Sequence, residues 1–473
     1  MTRKFLLFAF LCSTFIGSAQ GHAPSPEPDA AVYAARRAKL LALLPSGAIA
    51  VLNAALEAGA NVVYRPDSSF WYMTGMPETQ AIALLVPGAP MGHRYSLFVQ
   101  PKNWEREQWT GSRAGTKLAT SKYGADVAYA NDEFPKQMLE LMRDASSLWF
   151  YDGGDSKFRD TVTATWARRT NNSTTALPIY NLAPTIAEMR LYKDPTEVAL
   201  LRHAVELSVQ AHLAALPLAQ PGNGEWTLRG AMVGACLSGA AARMAYPPIV
   251  GSGENSVVLH YDAANQVLKN GAMIVNDTAC EYGMYAADVT RSYPVGGHFS
   301  AEQTAIYNIV LAAQRAGEVK SVPGARMHEI YDATAEVIVD GLLKLGIMQG
   351  DKAEIMAKRG FRTFYPHGSS HWIGLDVHDA GSYEQARIVK DAPPHLRNYA
   401  PAMAQLKTGM AYTIEPGIYI AENTPGVDPK WWNIGVRVED DYLVTDKGVE
   451  CLSCKLPRDI ATLEKLIRDH SSK

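Results

Sequence analysis

The chain has 473 residues, of which 47% are hydrophobic and 20% charged, and its formal net charge is −3. This length predicts two or three domains that can each bury a core, and the ordinary composition excludes a disordered, collagen-like or coiled-coil protein. A slightly negative chain offers no basic field for phosphates, so nucleic acids are excluded as general partners.

The first residues have the pattern of a secretory signal peptide. Arg3 and Lys4 precede an apolar run over residues 5–16, and small residues follow up to Ala19. The run is shorter than the about 20 residues that cross a bilayer. We therefore expect residues 1–19 to be removed on export, which places the mature protein in the periplasm or outside the cell. No later stretch of 18 apolar residues occurs, so no membrane contact is expected after cleavage.

Short apolar runs alternate with helical patterns over residues 30–184. A segment with apolar residues at helical spacing, 132–143, lies between two of these runs. Such alternation is typical of an α/β domain with a largely buried sheet. The predicted strands are 48–52, 82–86, 96–99 and 148–151.

A second domain, residues 185–473, is predicted to begin at a junction over 185–193. Asp194, Pro195 and Glu197 form the N-cap, the first turn and the capping box of a long helix. Two further helices are predicted to begin at Ser300 and over 327–345, and strand-like segments lie between and after them. This part of the chain is therefore predicted to be α+β. Its predicted strands are 273–276, 410–414 and 434–439.

Two aspartates flank a predicted hairpin. Tyr282-Gly283 is predicted as the centre of its two-residue turn. In that register Asp277 and Asp288 are directly opposite, with Cβ atoms about 5 Å apart. Two like charges at this distance destabilise a hairpin unless a cation or a shared proton lies between them. Because the flanking residues are apolar, the alternative of two solvated loop acids is disfavoured and a metal site is predicted.

Three of the 12 histidines fall close together, at His367, His371 and His378. Pro366 and the glycine and serines that follow predict a loop or strand edge here rather than a helix. A single histidine is more often a core or surface residue, but three beside Trp372 are typical of a functional site.

Two glutamates stand near predicted strand ends. Glu415 precedes a Pro-Gly pair where a strand is expected to stop. In residues 434–439, strand alternation places Arg437 and Glu439 on one face of the strand. This pair is either a plain ion pair or part of the same site.

Four cysteines follow the predicted signal peptide: Cys236, Cys280, Cys451 and Cys454. Export permits a disulfide between the last two. Their CxxC spacing also occurs in redox sites and in half of a zinc site, but no second CxxC completes a zinc site. A structural pair, bonded or not, is predicted.

Together these segments resemble the Xaa-Pro aminopeptidase family, the proline-specific branch of the pita-bread metallopeptidases. The resemblance extends over nearly the whole chain after residue 19, and includes residues 64–75, 188–193 and 249–255 and His260. It implies an N-terminal α/β domain like that of creatinase and aminopeptidase P, followed by an α+β pita-bread catalytic domain.

In that family two aspartates, one histidine and two glutamates hold two divalent ions. Four carboxylates and one imidazole suit manganese, and zinc or cobalt can use the same donors. Four negative charges also balance two divalent cations. The matching residues here are Asp277, Asp288, His371, Glu415 and Glu439.

The resemblance also implies roles for the surrounding side chains, in a hydrolysis carried out by a hydroxide that bridges the two metal ions. Glu415 is expected to be the general base as well as a ligand, and His378 to donate to the peptide. The implied catalytic residues are His260, His367, His378, Glu415 and Arg437. The implied substrate-binding residues are Tyr246, Tyr419 and Trp109, the last as the aromatic residue that family oligomers contribute across a subunit interface.

The expected function is that of an exported enzyme which removes an N-terminal residue from peptides with proline in second position, and which forms a homodimer or homotetramer. A prolidase uses the same ligands but cleaves only dipeptides. A metal-free hydrolase such as creatinase lacks ligands that are present here. A catalytically inactive peptide-binding or chaperone module on the same fold is the remaining alternative, and the intact ligand set disfavours it.

Overall fold

A six-stranded mixed sheet forms the centre of the N-terminal part of the molecule. The computed structural model describes residues 29–56, 63–170, 177–383 and 405–469, so the predicted signal peptide lies outside the described residues. The strands of this sheet are β1 (Ala48–Asn53), β2 (Ile82–Leu85), β3 (Tyr95–Val99), β4 (Val127–Ala130), β5 (Ser147–Tyr151) and β6 (Ile179–Asn181).

The strands lie in the order β4-β3-β2-β1-β5-β6, and β1 is antiparallel to β2 but parallel to β5. All residues of β1, β2 and β3 are buried, because helices cover both faces of the sheet centre. The four predicted strands are thus present. The helices of this part are α1 (Ala30–Leu43), α2 (Ser68–Thr74), α3 (Trp104–Thr110), α4 (Gly115–Ser121), α5 (Phe134–Leu141) and α6 (Ser156–Thr170).

Two helices connect this part to the rest of the chain. Helix α7 (Ala183–Leu191) spans the predicted boundary between residues 184 and 185, and α8 (Pro195–Ala215) follows it. The predicted capping box is present, since the Asp194 carboxylate accepts from the backbone N–H of Glu197 and the Glu197 carboxylate accepts from that of Asp194. Arg36 of α1, which is buried, donates to Asp194 at 2.9 Å and so ties α1 to the start of α8.

The C-terminal part consists of small antiparallel sheets with helices packed outside them. Besides α8, its helices are α9 (Glu225–Ser238), α10 (Ala301–Lys320), α11 (Met327–Lys344), α12 (Lys352–Lys358) and α13 (Ile460–Arg468). Its strands are β7 (Arg243–Met244), β8 (Ile249–Ser252), β9 (Met273–Asp277), β10 (Cys280–Tyr282), β11 (Tyr285–Ala286), β12 (Thr290–Pro294), β13 (Ala411–Ile414), β14 (Gly417–Ile420), β15 (Ile434–Arg437), β16 (Asp440–Thr445) and β17 (Gly448–Cys451). Strands β8, β9 and β12 form one sheet, β13, β16 and β17 another, and β14 pairs with β15.

The predicted hairpin is present, but its predicted register is wrong by two residues. The turn is centred on Gly283 and Met284, whose φ angles of 57° and 73° fit a type I′ turn, and not on Tyr282-Gly283. Asp277 therefore pairs with Thr290 rather than with Asp288. Because side chains alternate with a period of two, a two-residue shift keeps both aspartates on the same face of the ribbon.

All four cysteines of the described residues form disulfides. Cys451 and Cys454 are bonded to each other, which resolves the alternative left open by the sequence. Cys236 of α9 is bonded to Cys280 of β10, a pairing that the sequence did not predict. Within the described residues, no helix has both the length and the apolar character needed to cross a membrane.

Candidate metal centre

The predicted ligands lie where strands begin or end. Asp277 is the last residue of β9, Glu415 lies between β13 and β14, and Glu439 lies between β15 and β16. His371 lies beside β13, where the backbone N–H of Thr413 donates to the His371 carbonyl at 3.0 Å.

His371 faces three carboxylates. Its Nδ1 donates to the Trp372 carbonyl at 3.0 Å, which leaves Nε2 as the ring nitrogen that can bind a metal ion. This Nε2 lies 3.3 Å from Asp288, 3.7 Å from Glu415 and 3.8 Å from Glu439. Three carboxylates around one imidazole nitrogen need a positive charge among them, and these oxygen and nitrogen donors form a set that a divalent cation can bind.

Tyr246 joins the two aspartates. Its hydroxyl lies 2.5 Å from Asp277 Oδ1 and 2.7 Å from Asp288 Oδ1. One hydroxyl proton serves only one of these oxygens at a time. Burial, followed by the charges of both aspartates, raises the pKa of Tyr246 well above its usual value, so the hydroxyl keeps this proton.

A chain of hydrogen bonds runs along one wall of the site. Arg437 Nη1 donates to the Tyr419 hydroxyl at 2.8 Å, this hydroxyl donates to His367 Nε2 at 2.9 Å, and His367 Nδ1 donates to the Gly368 carbonyl at 2.7 Å. Burial lowers the pKa of His367 to about 3, so the ring is neutral and can take both roles. Arg437 Nη2 also donates to Asp277 at 2.6 Å, so of the two alternatives left open for Arg437 and Glu439 the structure favours the one in which both are part of the same site.

The carboxylates disfavour one another's charge. Burial raises the pKa values of Asp288, Glu415 and Glu439 well above their usual range, and repulsion from the neighbouring carboxylates raises them further. Glu439 Oε1 is buried and has no hydrogen-bond partner among the described residues. Buried acceptors normally have a partner, and a cation can take that place.

The site forms the floor of an open cleft of about 850 Å³. All five predicted ligands line it, as do Tyr246 and Arg437 and the three histidines His260, His367 and His378. The His378 ring lies 4.2 Å from the His371 ring between centroids. Tyr419 reaches the same wall through Arg437 and His367. Apolar side chains complete the lining: Pro247, Ile249, Leu259 and Val377.

Trp109 is the one predicted site residue that the structure places elsewhere. It lies on α3 of the N-terminal part, does not line the cleft, and is 88% exposed. A role at a subunit interface is compatible with this position in a single chain, and stays a prediction.

The residues present fit two divalent cations. The cleft brings together four carboxylates and one imidazole whose Nε2 faces them, which is the hard, oxygen-rich donor set preferred by ions such as manganese. Within this set, Asp288, His371 and Glu439 offer ligand atoms that all lie within 4.8 Å of one another. Two dications would also neutralise the four crowded negative charges.

Several residues behind the ligands hold the ligand side chains and backbone in place. These supporting residues were not predicted from the sequence. Thr290 donates to Glu439 Oε2 at 2.7 Å, and Asp441 accepts from the backbone N–H of Asp288 at 3.1 Å. Arg291, which is fully buried, donates to the Glu439 carbonyl and to Asp440, each at 2.7 Å. The sequence did contain a signal for them. Glu439, Asp440 and Asp441 are three successive acids at the start of a buried strand, and buried acids are unusual without such partners.

The Cys451–Cys454 disulfide also supports this segment. It brackets Ser453, whose hydroxyl donates to Asp440 Oδ1 at 2.6 Å and accepts from the backbone N–H of Asp441 at 3.0 Å. The disulfide loop therefore packs directly behind the segment that carries Glu439.

Comparison with known proteins identifies the family to which the chain belongs. The family model described as metallopeptidase family M24 matches residues 199–446, and that of the aminopeptidase P N-terminal domain matches residues 33–150. The Xaa-Pro aminopeptidase of Escherichia coli strain K12 is 33% identical over 91% of this chain and 96% of its own length.

Solved structures agree. Aminopeptidase PepP of Pseudomonas aeruginosa has a TM-score of 0.87 and 35% identity, covering 94% of this chain and 99% of its own. Zinc-substituted aminopeptidase P of Escherichia coli in complex with product has a TM-score of 0.87 and 32% identity, with coverages of 94% and 99%. These matches confirm the predicted fold class, an α/β N-terminal domain followed by a pita-bread catalytic domain. The chain therefore belongs to metallopeptidase family M24 and is a hydrolase with an N-terminal domain of the aminopeptidase P type.

Proposed function

We propose that this hydrolase is an exported Xaa-Pro aminopeptidase, which cleaves the bond between an N-terminal residue and a following proline. The observation that carries the proposal is the set of five ligand-type side chains on the floor of an open cleft with histidines and apolar groups in its walls. The similarity to Xaa-Pro aminopeptidases over 91% of the chain supports the same substrate class.

We propose two divalent cations as the cofactor, with Mn²⁺ as the resident metal and Zn²⁺ or Co²⁺ able to use the same ligands. Asp277, Asp288, His371, Glu415 and Glu439 would hold them. When bound, such ions lower the pKa of a water molecule and polarise the carbonyl that it attacks.

The protein's own groups would move protons and bind the peptide. Glu415, whose pKa is raised by burial and by Glu439, is suited to take the proton of the attacking water and to pass it to the proline nitrogen as this leaves. His378 faces the cleft with its pKa lowered to about 4 by burial and by the neighbouring His371, so it is neutral and can donate a hydrogen bond to the peptide. His260 and Tyr246 would line the proline pocket, and the chain from Arg437 through Tyr419 to His367 would hold its polar wall.

Export has independent support in the disulfides. Two disulfides join all four cysteines of the described residues. Such bonds persist in the periplasm and outside the cell and are rare in reducing compartments. We propose that residues 1–19 direct this export and that the mature chain forms a homodimer or homotetramer, with Trp109 contributed to a neighbouring copy.

The substrate class is tested with a peptide series after metal removal and reconstitution. Chelated enzyme should be inactive, and Mn²⁺ should restore hydrolysis of Ala-Pro-Ala but not of Ala-Ala-Ala, because the proposed pocket selects the proline ring and only proline presents a tertiary amide. Free alanine released is measured by chromatography. Cleavage of the dipeptide Ala-Pro alone would identify a prolidase, and no bound metal with no hydrolysis would identify a binding module.

Export is tested by expressing the whole chain in a Gram-negative host. We expect periplasmic enzyme whose N-terminal sequence begins at Gln20, and an uncleaved chain when Leu11→Arg interrupts the apolar run. Uncleaved wild-type protein that remains inside the cell would contradict export. Analytical ultracentrifugation of the same preparation gives the number of subunits.

A further inference from the structure

The segment that carries His378 lies between the cleft and the N-terminal domain. We call residues 374–379 the His378 loop. Its His378 side chain is exposed towards the cleft, whereas the Asp379 side chain beside it is buried on the opposite side. The backbone N–H of Asp379 donates to the Trp372 carbonyl at 2.8 Å. The orientation of His378 therefore depends on what holds the back of this loop.

Two cations from the junction hold Asp379. Arg190 Nη2 lies 2.5 Å from Asp379 Oδ1 and 2.6 Å from Asp376 Oδ2, and Lys193 Nζ lies 2.9 Å from Asp379 Oδ2. The side chains of Arg190 and Lys193 are 3% and 0% exposed. A Cβ at Gly374 would come within 2.3 Å of Asp379 Oδ2, so this glycine allows the carboxylate to approach the loop backbone. The loop is thus built around these ion pairs.

The N-terminal domain completes the support. Arg65 donates from Nη2 to the Leu375 carbonyl at 2.5 Å and from Nε to Glu281 at 2.8 Å. Ser68 accepts from Arg65 Nη1 at 2.8 Å and donates to Asp376 Oδ1 at 2.6 Å. The N-terminal domain therefore contacts both the backbone of the His378 loop and one of its carboxylates.

Cations and carboxylates are interleaved in this cluster. Arg65, Arg190 and Lys193 face the carboxylates of Glu281, Asp376 and Asp379. Arg243 also donates to Glu281 at 2.9 Å, and Ser69 accepts from Arg190 Nη1 at 3.0 Å. A cluster of paired and largely buried charges favours one geometry, because each charge that moves loses its partner. Such a cluster therefore restricts the conformation of the His378 loop.

We propose that the domain interface positions His378 for catalysis, with Arg190 and Ser68 acting as positioning residues through Asp376 and Asp379. This inference rests on the proposed peptidase activity. A group that stabilises a transition state must be held within a fraction of an ångström, and a displacement of about 1 Å can lower the rate about 100-fold. The N-terminal domain then contributes to the rate of cleavage and does more than bind or tether.

The test is a double-mutant cycle with His378 in the reconstituted full-length enzyme. Ser68→Ala removes the hydroxyl that bridges Arg65 and Asp376 without stranding a charge. Asp376 keeps Arg190 and the Nη1 of Arg65, which lies 3.4 Å away, and its side chain is 41% exposed to water. We expect kcat on Ala-Pro-Ala to fall about 3- to 10-fold with KM and metal content unchanged. Arg190→Lys keeps the charge but loses the planar fork, and we expect about 30-fold lower kcat. In the His378→Ala background both changes should have no further effect on kcat.

Thr74→Ala is the matched control on the same helix. The Thr74 hydroxyl donates to the Phe70 carbonyl at 2.8 Å and is buried, but does not touch the His378 loop, so its loss should lower Tm and leave kcat unchanged. The positioning role would be overturned if Ser68→Ala and Arg190→Lys lowered kcat by the same factor in the His378→Ala background as in the wild type. It would also be overturned if the two changes lowered only Tm. The peptidase activity would stand in both cases. Absence of hydrolysis by the wild-type enzyme would overturn both.

Discussion

Removal of the divalent metal is expected to destabilise this protein, and to do so more at pH 8 than at pH 5.5. Without metal, burial and mutual repulsion raise the pKa values of Asp288, Glu415 and Glu439. The folded metal-free chain therefore binds protons that the unfolded chain releases above its ordinary carboxyl pKa of about 4. This proton-linked stability is complete below that pKa and is lost as the pH rises through the raised values.

Bound metal replaces these protons. Ions at about 100 times their Kd stabilise the folded state by about 2.7 kcal/mol per site, which corresponds to a Tm increase on the order of 10 °C for two sites. Protons compete with metal at pH 5.5, so the increase should be larger at pH 8. Differential scanning calorimetry with EDTA or with Mn²⁺, at both pH values, measures it.

A variant pair controls this measurement. Glu439→Gln removes one ligand charge, so its Tm increase with Mn²⁺ should be small. Asp340→Asn removes an exposed carboxylate that pairs with Lys352, outside the cleft, and should respond to Mn²⁺ as the wild type does. A wild-type Tm increase that is equal at the two pH values would contradict the protonated carboxylate cluster.

Glu415→Gln is expected to reduce kcat on Ala-Pro-Ala by about 100- to 10,000-fold, which is the range for loss of a general base. The amide has nearly the shape of the carboxylate and keeps one oxygen donor, but it cannot accept the proton of the attacking water. KM should change little, because the cleft walls remain intact. Steady-state kinetics and metal analysis of the same preparation measure both effects.

Glu422→Gln is the control for this substitution. Glu422 is exposed, lies two residues beyond β14 and does not line the cleft, so kcat should be unchanged. A metal-loaded Glu415→Gln enzyme that keeps more than a tenth of the wild-type kcat would exclude Glu415 as the base, and would leave it a ligand only.

Several strands and helices near the site follow from local patterns. The capping residues at Asp194 and Ser300 predicted the starts of α8 and α10, because a cap involves only residues within one turn. The apolar run before Asp277 predicted β9 in the same way. The hairpin register failed because Met284, an unusual residue for positive φ, occupies the second turn position.

The candidate ligands were predictable as a set, although their roles remain proposals. Asp277, Asp288 and Glu415 stand out in sequence because polar groups follow apolar strands there, and the family resemblance supplied the rest. Sequence did not predict the second disulfide, whose cysteines are 44 residues apart, since spacing alone does not determine which cysteines pair.

The sequence by itself thus determined several strands and helix starts through local patterns of polarity and spacing, and its resemblance to a known family implied the fold class and the full set of candidate ligands. Only the tertiary structure decided which side chains hold the candidate ligands and the His378 loop in place. Arg190 reaches Asp376 across 186 residues, and Ser68 reaches it across 308. Such contacts form because buried charges need partners once the domains pack, and that requirement depends on the packed arrangement rather than on neighbours in the chain.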